Sequence, residues 1–220
     1  MEELTRLVLV RHAEAVCNVT GVVGGVRGCT GLTPSGRAQA ERLAVRLART
    51  GELGRVGALC SSVLPRAVET ARILSPGLEG PGREAPEVEA DCALCELHPG
   101  AADGLSWDEL LSRFEAPDWD VDPSKPIAPG GETWTGFVAR AAAALERLVE
   151  VYQGQTVVAV THAGVIEASV LRFLPVDSRV ARLGLHTAHA SLTVWQHRGG
   201  PEGAAGRRWL LERYNDAATA

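Results

Sequence analysis

Two short segments of the chain are apolar at every position: Leu7-Val8-Leu9-Val10 and Val157-Val158-Ala159-Val160. A strand with one wet face alternates polar and apolar residues, so an unbroken apolar run marks a strand covered on both faces. Val56 to Cys60 reads as a further buried strand, and Val88 to Leu94 as a weaker one. Weaker strands also fall around Leu192 to Trp195 and Trp209 to Leu211. Helical stripes separate these runs. Ala40, Leu43, Ala44, Leu47 and Ala48 share one helix face, opened by Thr33 and Pro34 and stopped by Gly51. A second helix spans Ser62 to Leu74, with Pro65 tolerated in its first turn. A long helix carries Trp134, Phe137, Ala141, Leu145 and Val149 on its apolar side and closes at Gly154, and another runs from Val165 to Leu174.

Between them, Glu96 to Gly131 is irregular and rich in proline. It holds one short helix, announced by the capping box Ser106-Trp107-Asp108-Glu109. Strands alternating with helices make a parallel sheet with right-handed crossovers. The expectation is an α/β three-layer sandwich, a mostly parallel central sheet with helices on both faces. It forms one domain over residues 1–220, with segment 96–131 as a lid that sets substrate choice.

Composition narrows the function. Of 220 residues, 45% are hydrophobic and 22% charged, so neither disorder nor a coiled coil is expected. The net charge of −5 argues against a nucleic-acid binder. No apolar run approaches the ~18 residues of a membrane span. The start, Met1-Glu2-Glu3-Leu4-Thr5-Arg6, does not read as a secretory signal. Five cysteines, Cys17, Cys29, Cys60, Cys92 and Cys95, are an odd count and point to reduced thiols in a cytoplasm. Cys92-Ala93-Leu94-Cys95 has metal-ligand spacing, but no second Cys pair or His pair completes four ligands, so no metal is expected there. Almost all basic residues are Arg; Lys125 is the only Lys.

The chemistry lies where the two all-apolar strands end. One continues as Arg11-His12-Ala13, the other as Thr161-His162-Ala163. In open parallel sheets the ligand crevice lies beyond the carboxyl ends of the strands. If the two strands are neighbours, His12 and His162 face one another. Arg11 adds a cation beside His12, and Arg66 falls in the first turn of the helix after the Val56–Cys60 strand. Two guanidinium groups and two imidazoles around one crevice make a dianion site, because the planar Arg fork grips phosphate oxygens in pairs.

Arg11-His12-Ala13-Glu14, followed by Asn18, resembles the opening motif of the histidine phosphatase superfamily, in its phosphoglycerate mutase-like branch. Further pieces follow in order: Gly31-Leu32-Thr33-Pro34-Ser35-Gly36, Ser61-Ser62-Val63-Leu64-Pro65-Arg66, Glu96 before Gly100 and Asp103, Pro129-Gly130-Gly131-Glu132-Thr133, and Val160-Thr161-His162-Ala163-Gly164. The resemblance runs from about Arg6 to Trp195. It implies a metal-independent, cofactor-free phosphomonoester hydrolase acting on a small phosphorylated metabolite through a phosphohistidine. In that reading His12 is the nucleophile, His162 a partner on the phosphate, and Glu96 the proton donor. Arg11, Arg66, Asn18, Ala163 and backbone amides near Gly24 and Gly25 bind the phosphate. A homodimer is compatible with the reading and is left open.

The sequence also departs from the family pattern. Ala13 and Ala163 stand where glycine is common. Leu97-His98-Pro99-Gly100 lacks the Arg-Tyr pair usual in mutases, and the cations nearest in sequence are Arg27, Arg113 and Lys125. A mutase must retain and reorient a bisphosphate, so phosphatase is preferred over the first alternative, phosphoglycerate mutase. A non-catalytic module that binds phosphorylated ligands is the second alternative. Glu14 reads as a loop support. His98, His186, His189 and His197 read as structural or rim residues, with His189 standing where the family often has Asn. Trp107, Trp119 and Trp134 are shared between a lid and a packing role.

Overall fold

A computed structural model describes residues 4–80, 84–115, 117–177, 179–198 and 209–217. The ends of the expected 1–220 domain, residues 1–3 and 218–220, lie outside the described residues. Six strands form one sheet in the order β3-β2-β4-β1-β5-β6. They are β1 (Leu4–Arg11), β2 (Val56–Ser61), β3 (Val88–Ala90), β4 (Thr156–Thr161), β5 (Ser191–Arg198) and β6 (Trp209–Ala217). The pairs β1–β4, β2–β4 and β2–β3 are parallel, while β5 and β6 add an antiparallel edge. The sheet is thus mostly parallel, as the apolar runs require.

The helices are α1 (Val16–Thr20), α2 (Pro34–Thr50), α3 (Pro65–Leu74), α4 (Trp107–Arg113), α5 (Trp134–Val151) and α6 (Ala163–Phe173). Side chains alternate across each central strand. Leu7, Leu9, Val157 and Ala159 pack with Phe137, Leu145 and Ile166 of α5 and α6. Val8, Val10, Val158 and Val160 pack with Leu43 and Leu47 of α2 and with Ala67 and Leu74 of α3. Both faces of β1 and β4 are covered, which is why their central runs, Leu7–Val10 and Val157–Val160, are apolar at every position. Three caps are those the sequence predicts. Thr33 accepts from the Gly36 amide, Gly51 ends α2 in the left-handed region, and Ser106 and Glu109 form the capping box of α4.

Several element boundaries differ from expectation, among them the end of α5, which stops at Val151 with Tyr152 as its C-cap, before the expected Gly154. The weak strand over Val88 to Leu94 stops at Ala90, because the Asp91 side chain accepts from the Ala93 amide and turns Cys92–Leu94 into a 3₁₀ turn. Helix α3 starts at Pro65 rather than Ser62, because Ser62 continues the sheet ladder, donating its amide to Val160 O at 3.0 Å. Helix α6 starts at Ala163, two residues before the expected Val165. Among the described residues, no helix is long and apolar enough to cross a membrane.

Candidate active site

Strands β1 and β4 pair in register from Arg6↔Thr156 to Arg11↔Thr161, so both ladders end at the same level. The His12 amide donates to Thr161 O at 2.9 Å. The next residue of each strand is a histidine, and the ring centroids of His12 and His162 lie 5.1 Å apart. The convergence expected from the sequence is therefore a consequence of strand register.

His12 is buried, and its Nδ1 lies 2.8 Å from Ala13 O. A carbonyl can only accept, so Nδ1 carries the proton and Nε2 presents its lone pair. Arg66 Nε donates to that lone pair at 3.1 Å. Burial, and then the charge of Arg66, hold the His12 imidazole well below its ordinary range. His162 is depressed for the same two reasons. Both rings are neutral at pH 7.

Arg66 is itself buried, in the first turn of α3, and its Nη1 donates to Gly24 O at 2.6 Å. The Gly25 amide donates to Val23 O at 3.2 Å, so it is already engaged within its own loop. Arg11 donates to Thr187 O. Asn18 lies at the crevice wall, where its Oδ1 accepts from the Ala15 amide at 3.0 Å. Glu96 also lines the crevice. Its carboxylate accepts from Leu97 N and from Gly164 N, each at 3.1 Å. That close approach needs a glycine, since a Cβ on Gly164 would sit 2.3 Å from Glu96 Oε1.

Four polar side-chain atoms at this centre are buried without a hydrogen-bond partner: Arg11 Nε, both ring nitrogens of His162, and His189 Nε2. Native proteins rarely leave such groups unpaired, and each one costs ~1–3 kcal/mol. The His162 and His189 rings flank His12 at centroid distances of 5.1 and 5.6 Å. Beside them a crevice of about 580 Å³ is lined by Arg11, His12, Asn18, Arg66, Glu96 and Ala163, among others.

Sequence reasoning missed three contributors. His189 lies with its ring centroid 5.6 Å from His12, and burial brings its pKa down to about 4. Thr187 supplies the carbonyl that orients Arg11. Arg182 lines the crevice mouth, stacked over Trp134 and Trp119 at 5.0 and 5.8 Å. All three sit in the irregular stretch between α6 and β5, where no periodicity signals an orientation. The only available signal for His189 was its place just before a strand. Glu14 has the supporting role expected: it accepts from the Thr33 hydroxyl at 2.6 Å. Trp107, Trp119 and Trp134 all line the crevice, and Trp134 also belongs to the core. The three cations nearest in sequence are committed elsewhere, Arg27 to Asp103, Arg113 to Glu109 and Lys125 to Glu115.

Comparison with known proteins follows this geometry. The family described as the histidine phosphatase superfamily (branch 1) matches residues 7–215. A metal-independent phosphoserine phosphatase of Arabidopsis thaliana is 30% identical over 223 aligned positions, covering 98% of this chain and 83% of that protein. Phosphoglycerate mutase-like protein 4 of the same plant is 32% identical, covering 98% and 87%. Among solved structures, a mycobacterial glucosyl-3-phosphoglycerate phosphatase in complex with VO3 superposes with a TM-score of 0.75 at 27% identity, covering 96% of this chain and 99% of that one.

Proposed function

The chain belongs to the histidine phosphatase superfamily, branch 1, and is a phosphatase; from that premise we propose that it hydrolyses a small, carboxylate-bearing phosphomonoester through a phosphohistidine on His12. The observation that carries this reading is a neutral, Nδ1-protonated His12 whose Nε2 faces Arg66 Nε at 3.1 Å, with the His162 ring 5.1 Å away.

The chemistry runs in two displacements. His12 Nε2 attacks phosphorus in line, a P–N bond forms, and the bond to the leaving alkoxide breaks. Arg66 Nε moves from the lone pair it now touches onto a phosphate oxygen. Arg11, Arg66 and His162 carry the equatorial oxygens, where charge is spread in the transition state. Asn18 adds its amide N–H groups, and the Ala163 backbone amide, in the first turn of α6, does the same. Glu96 protonates the departing oxygen, then takes a proton from the water that breaks the P–N bond. Fixed cations stabilise the charge throughout. Of the Gly24 and Gly25 amides expected on the phosphate, only Gly24 is assigned to it, since the Gly25 N–H is engaged by Val23 O.

The substrate's second anchor is Arg182. It forms no ion pair among the described residues, and its guanidinium lies over the Trp119 and Trp134 rings at the mouth. A cation held there fits a carboxylate at the far end of a short phosphorylated molecule. Two similar proteins carry names with substrates of this class, phosphoserine and glucosyl-3-phosphoglycerate. Segment 96–131 forms the lid over this end, and the whole chain acts as one catalytic domain. Five free cysteines suit a reducing cytoplasm. The expectation of a homodimer is tested separately, by mass measurement in solution.

Phosphate release over a panel of phosphomonoesters tests the reading. Turnover should be greatest with small carboxylate-bearing esters and should not need divalent metal. Interconversion of 2- and 3-phosphoglycerate without phosphate release would favour the mutase alternative. Binding without turnover would favour the ligand-binding module.

A further inference from the structure

Beyond Ala90 the chain departs from the sheet and folds back on itself. Asp91 caps the turn through the Ala93 amide at 2.8 Å, and the Cys95 amide donates to Cys92 O at 3.0 Å. This turn brings Cys92 and Cys95 together, and the chain then returns His98 to the same place. One ligand atom from each of the three lies within 4.8 Å of the other two. Cys92 Sγ and His98 Nε2 are 3.5 Å apart. With Zn–S of about 2.3 Å and Zn–N of about 2.0–2.1 Å, the edge of a tetrahedron between such ligands is about 3.6 Å.

The surroundings hold each ligand in place. His98 Nδ1 lies 3.6 Å from Glu132 Oε2, and the same oxygen accepts the His98 amide at 2.9 Å. Glu132 thus stands behind one ring nitrogen at ion-pair distance while the other faces Cys92 Sγ, and a small rotation of the ring would give the carboxylate–histidine hydrogen bond that orients metal-binding histidines. Ser62 donates its hydroxyl to Cys95 Sγ at 3.3 Å. Arg140 donates to Ala93 O, Cys95 O and Glu96 O and grips Glu132 by both carboxylate oxygens. It clamps the backbone that carries the ligands. Cys92 is exposed, which gives a route in from solvent, and none of the three ligands lines the phosphate crevice.

We propose that Cys92 Sγ, Cys95 Sγ and His98 Nε2 form a zinc site, with water in the fourth position. Two thiolates and an imidazole suit Zn²⁺ and disfavour Mg²⁺ and Ca²⁺, which take oxygen ligands. Binding releases both thiol protons. Three protein ligands leave the fourth position open to water, as closed structural sites do not, and the site does not depend on the substrate reading above. Its ligands bracket Glu96, one residue before it and two after, so an occupied site fixes the backbone of the candidate proton donor from both sides. The sequence reading stopped at Cys92 and Cys95 because it sought a second pair, and the third ligand is a single histidine from the same short segment.

The test is a titration of reduced protein with Co²⁺, followed by displacement with Zn²⁺. The expected result is one Co²⁺ per chain with a thiolate-to-cobalt absorption band, lost on adding one equivalent of Zn²⁺. Cys92→Ser and His98→Ala should each weaken Zn²⁺ binding at least tenfold. Glu132→Gln should weaken it by ~10–100-fold through the orientation of His98. Cys92 and His98 both reach solvent, so their variants keep the fold. Three results would overturn the assignment: no thiolate band, wild-type affinity in His98→Ala, or a Cys92–Cys95 disulfide that persists under reductant.

Discussion

Arg66 Nε points directly at His12 Nε2, 3.1 Å away, and so occupies the position from which a phosphate oxygen would take its hydrogen bond. A cation donating to the ring's lone pair keeps the imidazole unprotonated. It also places positive charge beside the atom that forms the new bond. Arg66→Lys retains the charge but loses the planar fork that serves His12 and Gly24 together. We expect kcat/KM to fall by ~10²–10³ with the fold intact by circular dichroism. A loss smaller than tenfold would remove Arg66 from the phosphate site.

Glu96 is held by the amides of Leu97 and Gly164 with its carboxylate in the crevice. If it protonates the leaving group, its loss must hurt poor leaving groups most. Glu96→Ala should lower kcat by ~10²–10⁴ on alkyl phosphates and far less on nitrophenyl phosphate. Gly164→Ala should reproduce this selectivity in milder form, because the added methyl displaces the carboxylate. Equal losses on both substrates would contradict the acid role.

Arg182 has no carboxylate partner among the described residues, so its replacement breaks no internal ion pair. Arg182→Ala should raise KM for carboxylate-bearing esters by about 10- to 100-fold, matching a charged hydrogen bond of ~1.5–3 kcal/mol. KM for nitrophenyl phosphate should stay within about twofold. Parallel increases for both substrates would assign Arg182 to lid packing instead.

His189 adds a pH signature. Its pKa in the folded chain, about 4, lies below the ordinary histidine value of 6.5, first through burial and then through Arg11. Between pH 6.5 and about 4 the folded state therefore binds fewer protons than the unfolded chain, and stability falls as pH falls through that window. His189→Asn removes this contribution. Its urea midpoint should decline less steeply than that of the wild type between pH 6.5 and 4. Parallel curves would show that His189 titrates normally.

The legible parts of this molecule are those governed by periodicity and by strand ends. Leu7 to Val10 and Val157 to Val160 announce their burial because both faces carry apolar side chains, and the two histidines follow because the strands end in register. Thr33 and Ser106 announce their helices because an N-cap hydroxyl must pair with an amide two or three residues on. The irregular stretches were not legible. His189 and Arg182 are aimed by a loop whose conformation depends on long-range contacts, including the Arg11 hydrogen bond to Thr187 O and the Ala190 amide bond to Arg11 O. Cys92 to Leu94 has strand composition, and a single carboxylate at Asp91 diverts it into a turn.

The central claim is that the phosphoryl group passes through His12. Rapid mixing with a phosphomonoester, quenching under alkaline conditions that preserve phosphohistidine, and peptide mass spectrometry would test it most directly. The account predicts one transient phosphoryl group per chain, on His12, absent from His12→Asn, which should also release no phosphate. Phosphate release by wild-type protein with no phosphorylated intermediate, or with the label on His162, would contradict it.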